Sequence, residues 1–479
     1  MRRRRRTSWR VAAAVAVGAL ATPEAAGAHG LVRRANLPLP EWLFGWAAAF
    51  VLVVSFVALA VLWPRPKLEH PAGRPLPWGL GRALAGNVVQ ALCGAVGFAL
   101  LVVVIVAGYV GPQDPLANLA PTFILIVFWV GLAFASVLFG NVFHALNPWR
   151  AAGRAVGWAV TRARGGRPPA HRPYPEGWGR WPAAVGLLVF AWIELASGWG
   201  EDPARLVTCA ALYSVLTWAA MAVYGVETWT RRGEAFSVYF DLLGRLAIFG
   251  ARDRQVVVRP PLAGLPQLDR ARGTVAFVVV MIGTVTFDGL SQGSLWRDAG
   301  AEIDRALASA GVVESTATVL RDTVGLLAGV ALVGGFYWLG IQGARSVGGP
   351  YGGDRLRRAF VHSLVPIAAV YAAAHYVTFL VFEGQAIRYL ASDPFGRGWD
   401  LFGTASAGID YGVLSQNAAW YLQVALVVLG HVAALALAHD RALAVYGQAQ
   451  AAVRSQYWML GIMVGFTTLA LWLLAQAGA

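Results

Sequence analysis

Four residues of this chain have types that can do chemistry together: His29 in "AGAHGLVRR", Glu194 in "AWIELASGW", Asp288 in "TVTFDGLSQG" and His375 in "AAAHYVTFLVFEGQ". A histidine at a mature N-terminus offers an α-amine and an imidazole as a chelating pair, and a second imidazole completes a nitrogen-rich site suited to copper or zinc. Glu194, Asp288 and His375 are the natural remaining ligands, and the last three are also the candidate catalytic residues. A metal held there lowers the pKa of a bound water to about 7 and polarises a phosphoryl or carbonyl oxygen. The plainer reading makes His29 an accident of leader cleavage and His375 a hydrogen-bond partner of a neighbouring helix, with the two carboxylates solvated near the interface. No H-x-x-H or H-E-x-x-H spacing accompanies them.

These side chains matter because of where they sit. The 479 residues are 57% hydrophobic and only 13% charged, about half the charged fraction of a soluble domain. Apolar runs at 42–63, 87–110, 121–145, 182–199, 206–228, 274–290, 323–342, 359–383, 418–438 and 457–475 suit a hydrocarbon core roughly 30 Å thick. The expected fold class is therefore all-α: a polytopic transmembrane helical bundle of about ten helices, N-terminus and C-terminus both outside. An ionisable group inside such a run is expensive and is a functional candidate by default. His375 is sixteen residues into a helix entering at Ala359, about 24 Å along it, with Tyr371 and Thr378 on the same face. A second polar set, Asn141, His144, Glu227, His362, His431, His439 and Asp440, lies toward the other end. Pro366 predicts a kink beside His362.

The head "MRRRRR", a short apolar run and the triplet Ala26–Gly27–Ala28 read as a cleavable signal peptide over 1–28. Residues 29–41 then form an extracellular strap stiffened by "NLPLPEW", and 42–479 form the bundle. Alternate loops support this orientation. Loop 146–180 carries seven arginines from Arg150 to Arg180 against the single acid Glu176, whereas "GPQDPLANLA" has no basic residue. The net charge of +14 is therefore a topology signal, and no nucleic-acid partner is expected; the partner is the lipid bilayer. Segment 229–272 is expected at the cytoplasmic interface, with "AFSVYFDLLGRLAIFG" as a helix along the membrane surface and "QVVVRPP" extended. Outside, 288–322 and 384–417 are the large loops, and "SDPFGRGWDLFGT" has the composition of a folded lid. Cys93 and Cys209 both fall in apolar runs, which argues against a disulfide or a cysteine metal site.

The stretches "HGLVRRANLPLPEWLFGWAAAFVLVVSFVALAVLWP", "GNVFHALNPWR", "AFSVYFDLLGRLAIFG", "AHYVTFLVFEGQ", "SDPFGRGWDLFGT" and "QYWMLGIMVGFTTLALWLL" together resemble the actinobacterial membrane proteins named fenitrothion hydrolase, over nearly the whole mature chain. The resemblance implies hydrolysis of an organophosphorus triester by an integral membrane protein, with a second membrane subunit as partner. It carries no residue roles. The favoured reading is a metal-assisted hydrolase at the outer face, using copper or zinc. The alternatives are a membrane transporter or copper-handling permease, for which the two polar clusters form a pathway, and a noncatalytic subunit of a membrane complex.

Overall fold

Apolar sequence with few breakers folds into helices because a chain in lipid must satisfy its own backbone hydrogen bonds. The computed structural model describes residues 41–70, 73–348 and 351–476. The expected leader, His29 and nearly all of the strap lie outside them. The chain is an all-α polytopic bundle, and eight helices among the described residues are long and apolar enough to cross a membrane, where the sequence suggests about ten.

In chain order the main helices are α1 (Glu41–Leu62), α2 (Asn87–Val110), α3 (Leu119–Phe139), α4 (Pro148–Ala163), α5 (Trp181–Leu195), α6 (Pro203–Tyr224) and α7 (Ala235–Gly244). They continue as α8 (Thr274–Ser291), α9 (Ser294–Ser309), α10 (Glu314–Ser346), α11 (Gly353–Val381), α12 (Gln416–Tyr446) and α13 (Tyr457–Gln476). At α5 the difference has a local cause. The run expected at 182–199 stops as α5 after 15 residues, because the Ser197 hydroxyl turns back onto the Ile193 carbonyl and Gly198 takes a left-handed conformation at φ 70°. The side chains at the end of α13 lie outside the described residues. In α3, residues Thr122–Gly131 form a π-helix, with the Leu132 amide donating to the Val127 carbonyl. In α11 the chain tightens to a 3-10 turn at Val361–Leu364 just ahead of Pro366, where the proline ring displaces the ordinary bond pattern.

The stretch 235–250 differs from expectation. Ala235–Gly244 is helical, but it is wedged inside the bundle against α3 and α5 instead of lying on the membrane surface. Phe236, Val238, Tyr239, Phe240, Leu242 and Leu243 are all buried. They point around the whole helix, so it has no single apolar face to lay on a membrane. Tyr239 stacks on Trp129 at 4.4 Å, and Phe240 packs on Phe143 at 4.8 Å. The chain then forms a small antiparallel sheet of β1 (Arg74–Pro75), β2 (Phe249–Arg252) and β3 (Gln255–Val258), in the order β1-β3-β2. The "QVVV" segment is thus extended, as the sequence suggests.

α8 is the axis of the bundle. Every residue from Phe277 to Gly289 is buried, because α5, α10 and α11 all pack on it. Small residues let backbones approach: a Cβ on Gly283 would lie 2.5 Å from the Val330 Cα, and one on Gly329 would lie 2.9 Å from the Gly283 carbonyl oxygen. Gly283→Val is expected to cost about 3 kcal/mol through this backbone clash. Gly335→Ala, on α10 but with open space beyond it, is expected to be neutral. Thermal unfolding of the detergent-solubilised variants checks both, and equal midpoints would refute the packing account.

Candidate functional site

The site is built where three helices meet on α8. Asp288 projects from the last turn of that helix and is completely buried. α11 brings two donors to a single oxygen of it. His375 Nε2 lies 2.8 Å from Asp288 Oδ2, and the Tyr376 hydroxyl donates to the same oxygen at 2.7 Å. The imidazole and phenol rings stand edge to face, 4.7 Å apart. When the imidazole donates to that oxygen from Nε2, its Nδ1 is left as the acceptor nitrogen. That nitrogen faces Gly289, where an added Cβ would sit 3.9 Å from it. Glu194, at the end of α5 and only partly buried, lies within electrostatic range of Asp288, Tyr376 and Tyr239.

The structure thus brings together Glu194, Asp288 and His375, which the sequence places at a common depth. Among the described residues, however, no group of three or more His, Cys, Asp and Glu side chains is placed to hold a metal ion. His375 Nε2 is turned to Asp288 rather than to an open coordination position. These residues do not make a copper or zinc site by themselves, and His29 lies outside the described residues.

Tyr371 and Thr378 are buried on the same helix as His375, and Tyr371 is hydrogen-bonded to Thr286 of α8. Tyr376 and Tyr239 are the functional candidates that sequence reasoning passes over. Tyrosine is ordinary in membrane helices, and a residue next to a histidine is normally turned about 100° from it. Both tyrosines floor an apolar groove of about 470 Å³ between α3, α11 and α12, walled by Trp129, Pro366, Leu426 and Leu429.

The second polar set scatters into separate roles. Asp440 accepts from the Trp63 indole at 2.9 Å and from the Lys67 and Leu68 amides at 2.6 and 3.1 Å. His439 contacts the Trp63 carbonyl and the Gln456 amide, so this pair lashes the exit of α1 to α12. Asp440→Ala is expected to destabilise the protein by about 2–4 kcal/mol, because it strands three donors. Thermal unfolding checks this, and an unchanged midpoint would refute the tether. Glu227 pairs with Arg150 at 3.2 Å, and Asn141 accepts from the His144 amide at 3.0 Å. His362 and His431 are buried and bond through Nδ1 to the carbonyls of Ala359 and Val427. Their Nε2 atoms have no partner among the described residues.

At the arginine-poor end, Glu383 meets the Tyr411 hydroxyl at 3.3 Å. The loop beyond it is folded: Asp393 accepts from the Arg397 and Gly398 amides, and Asp400 accepts from Ser392 and the Ala405 amide. The region 288–322 is mostly helix, with α9 held to α10 by the Asp304–Arg321 ion pair at 2.6 Å. Compared with known proteins, the chain matches no family model, no curated protein and no solved structure.

Proposed function

We propose that the chain is an integral membrane hydrolase that takes an apolar, membrane-dissolved ester, an organophosphorus triester or a related one, in line with its resemblance to proteins named fenitrothion hydrolase. The observation that carries this reading is the convergence of His375 and Tyr376 on one buried oxygen of Asp288, next to a lateral groove whose floor includes Tyr376. In this reading the ester enters from the bilayer along the groove, and water arrives from the arginine-poor end past Glu194. His375 Nδ1 takes the proton of the attacking water as its oxygen bonds to phosphorus or carbon. Asp288 holds the imidazole in place and stabilises its charged form. The Tyr376 hydroxyl stays on Asp288 Oδ2 and helps to hold that carboxylate against the imidazole, and the leaving group departs with the bonding pair. By the loop-charge rule the arginine-rich end faces the cytoplasm and the centre lies toward the outer leaflet of the cell membrane.

The test is hydrolysis of a dialkyl nitrophenyl phosphotriester by the full chain in nanodiscs, read as nitrophenolate release. His375→Ala is expected to remove activity and, because it leaves a void and takes a buried partner from Asp288, also to lower the thermal midpoint, so rates are read well below the midpoint of the variant. Activity equal to wild type would overturn the reading.

One observation favours a second reading, a proton-coupled transporter. His431, Tyr371 and Thr286 bound a cavity of about 10 Å³ below the Asp288 cluster, close to the volume that holds one water. His362 lies further toward the arginine-rich end of α11. Such a line of imidazoles and hydroxyls suits proton passage. Proton flux into liposomes that is lost in His431→Ala, in a protein with no esterase activity, would select this reading.

A further inference from the structure

The arginine-rich end holds a feature that the reading above leaves unused. A cleft of about 1300 Å³ opens between the small sheet, the 140–145 turn, the start of α4 and the end of α7. Its lining includes six arginines, Arg150, Arg154, Arg245, Arg252, Arg254 and Arg259, against three carboxylates, Glu69, Glu227 and Asp241. Two of those acids are committed, Glu227 to Arg150 at 3.2 Å with Arg154 at 4.0 Å, and Asp241 to Arg245 at 2.9 Å, while Glu69 is paired 3.1 Å from Arg441 outside the cleft.

Arg259 is held on the carbonyls of Gly244 and Ala247, at 3.0 and 3.2 Å, and has no carboxylate at ion-pair distance among the described residues. Arg254 sits at the hairpin tip with φ 57°, a left-handed position that glycine takes more easily. The cleft is continuous with a second, apolar cavity of about 590 Å³, because Asn87, Gln90, Arg150 and Arg154 line both. That second cavity runs between α2 and α4 along Gly94, Ala95, Phe98, Ala151 and Ala155.

A cationic chamber opening into an apolar furrow between helices matches an amphiphile with an anionic head, and guanidinium groups match the oxygens of a phosphate. We propose that this end of the bundle binds an anionic phospholipid, its phosphate among Arg154, Arg254 and Arg259 and an acyl chain in the α2–α4 furrow. The arrangement is independent of the Asp288 centre, and it suits the acidic lipids that attract basic membrane-flanking segments.

The test titrates the purified full chain in neutral detergent with dioctanoyl phosphatidylglycerol, dioctanoyl phosphatidylcholine and glycerol 3-phosphate, and counts bound ligand by native mass spectrometry. Phosphatidylglycerol is expected to bind at one site, with the other two at least about tenfold weaker. The double variant Arg154→Gln/Arg254→Gln, at two exposed positions, is expected to weaken phosphatidylglycerol about tenfold with an unchanged midpoint in the absence of lipid. Ala155→Phe, which fills the furrow, is expected to weaken the lipid and leave glycerol 3-phosphate unaffected. Equal binding of phosphatidylcholine, binding of glycerol 3-phosphate as tight as that of the lipid, or full retention by the variants would each overturn the proposal.

Discussion

Replacing Asp288 with asparagine is expected to slow ester hydrolysis on the order of 10³-fold while the bundle stays folded. Asp288 Oδ2 receives both the His375 imidazole and the Tyr376 hydroxyl. An asparagine can present its carbonyl oxygen to them only as a neutral acceptor. If its amide nitrogen takes that place instead, it drives His375 into the opposite tautomer. In both arrangements the imidazolium formed during attack loses its counter-charge in a low-dielectric interior, where that charge matters most. Alanine acts differently. It strands two donors among fully buried neighbours and leaves a void on the bundle axis, so Asp288→Ala is expected to cost about 3–5 kcal/mol. Measuring nitrophenolate release and thermal midpoints on the same samples separates the two effects. Asparagine that hydrolyses at the wild-type rate would remove Asp288 from the reaction, whatever happens to stability.

Glu234→Ala is expected to produce the largest loss of stability, about 4–5 kcal/mol, against a total that is commonly 5–15 kcal/mol. Glu234 is completely buried and caps α7, accepting from the Phe236 and Ser237 amides, each at 2.8 Å. The same carboxylate takes the Ser237 and Tyr213 hydroxyls and the Asn147 amide, which ties α7 to α6 and to the start of α4. Its removal strands the two amides and the two hydroxyls inside the protein, while the Asn147 amide keeps its bond to the Ser237 hydroxyl at 2.8 Å. It also frees the helix that places Tyr239 and Leu243 on the groove, so activity should fall with stability. Glu234→Gln keeps an acceptor and is expected to recover about half of the loss. Gel filtration and thermal unfolding in detergent are the measurements, and an alanine variant as stable as wild type would show that the network is dispensable.

What was legible in advance follows from cost. Asp288 and His375 stand out in apolar runs because lipid tolerates such groups only for a reason, and counting 1.5 Å per residue is enough to bring them level. Tyr376 was not legible, since nothing in a single helix reveals that a carboxylate from α8 reaches between two adjacent positions. The burial of α7 was hidden for another reason: ten residues are too few to span, and apolar side chains on all sides give no face to orient. The arginines at 150–154 and at 245–259 read in sequence only as loop charge. Their gathering around one cleft depends on the pairing of β3 with Arg74–Pro75, more than 170 residues earlier. The run at 182–199 read as a span from composition alone, which does not register the Ser197–Gly198 stop after α5.

The wide stretch of α3 has a mechanical consequence. Where the backbone bonds reach back five residues, from Thr122 to Gly131, the spiral is wider than an ordinary helix and turns less for each residue. Winding this stretch to the usual pitch would turn one end of α3 relative to the other. Trp129 would then swing off the face of Tyr239, against which it now lies. The girth of this single segment therefore sets the rotational phase between the two ends of α3, and with it which side chains wall the lateral doorway.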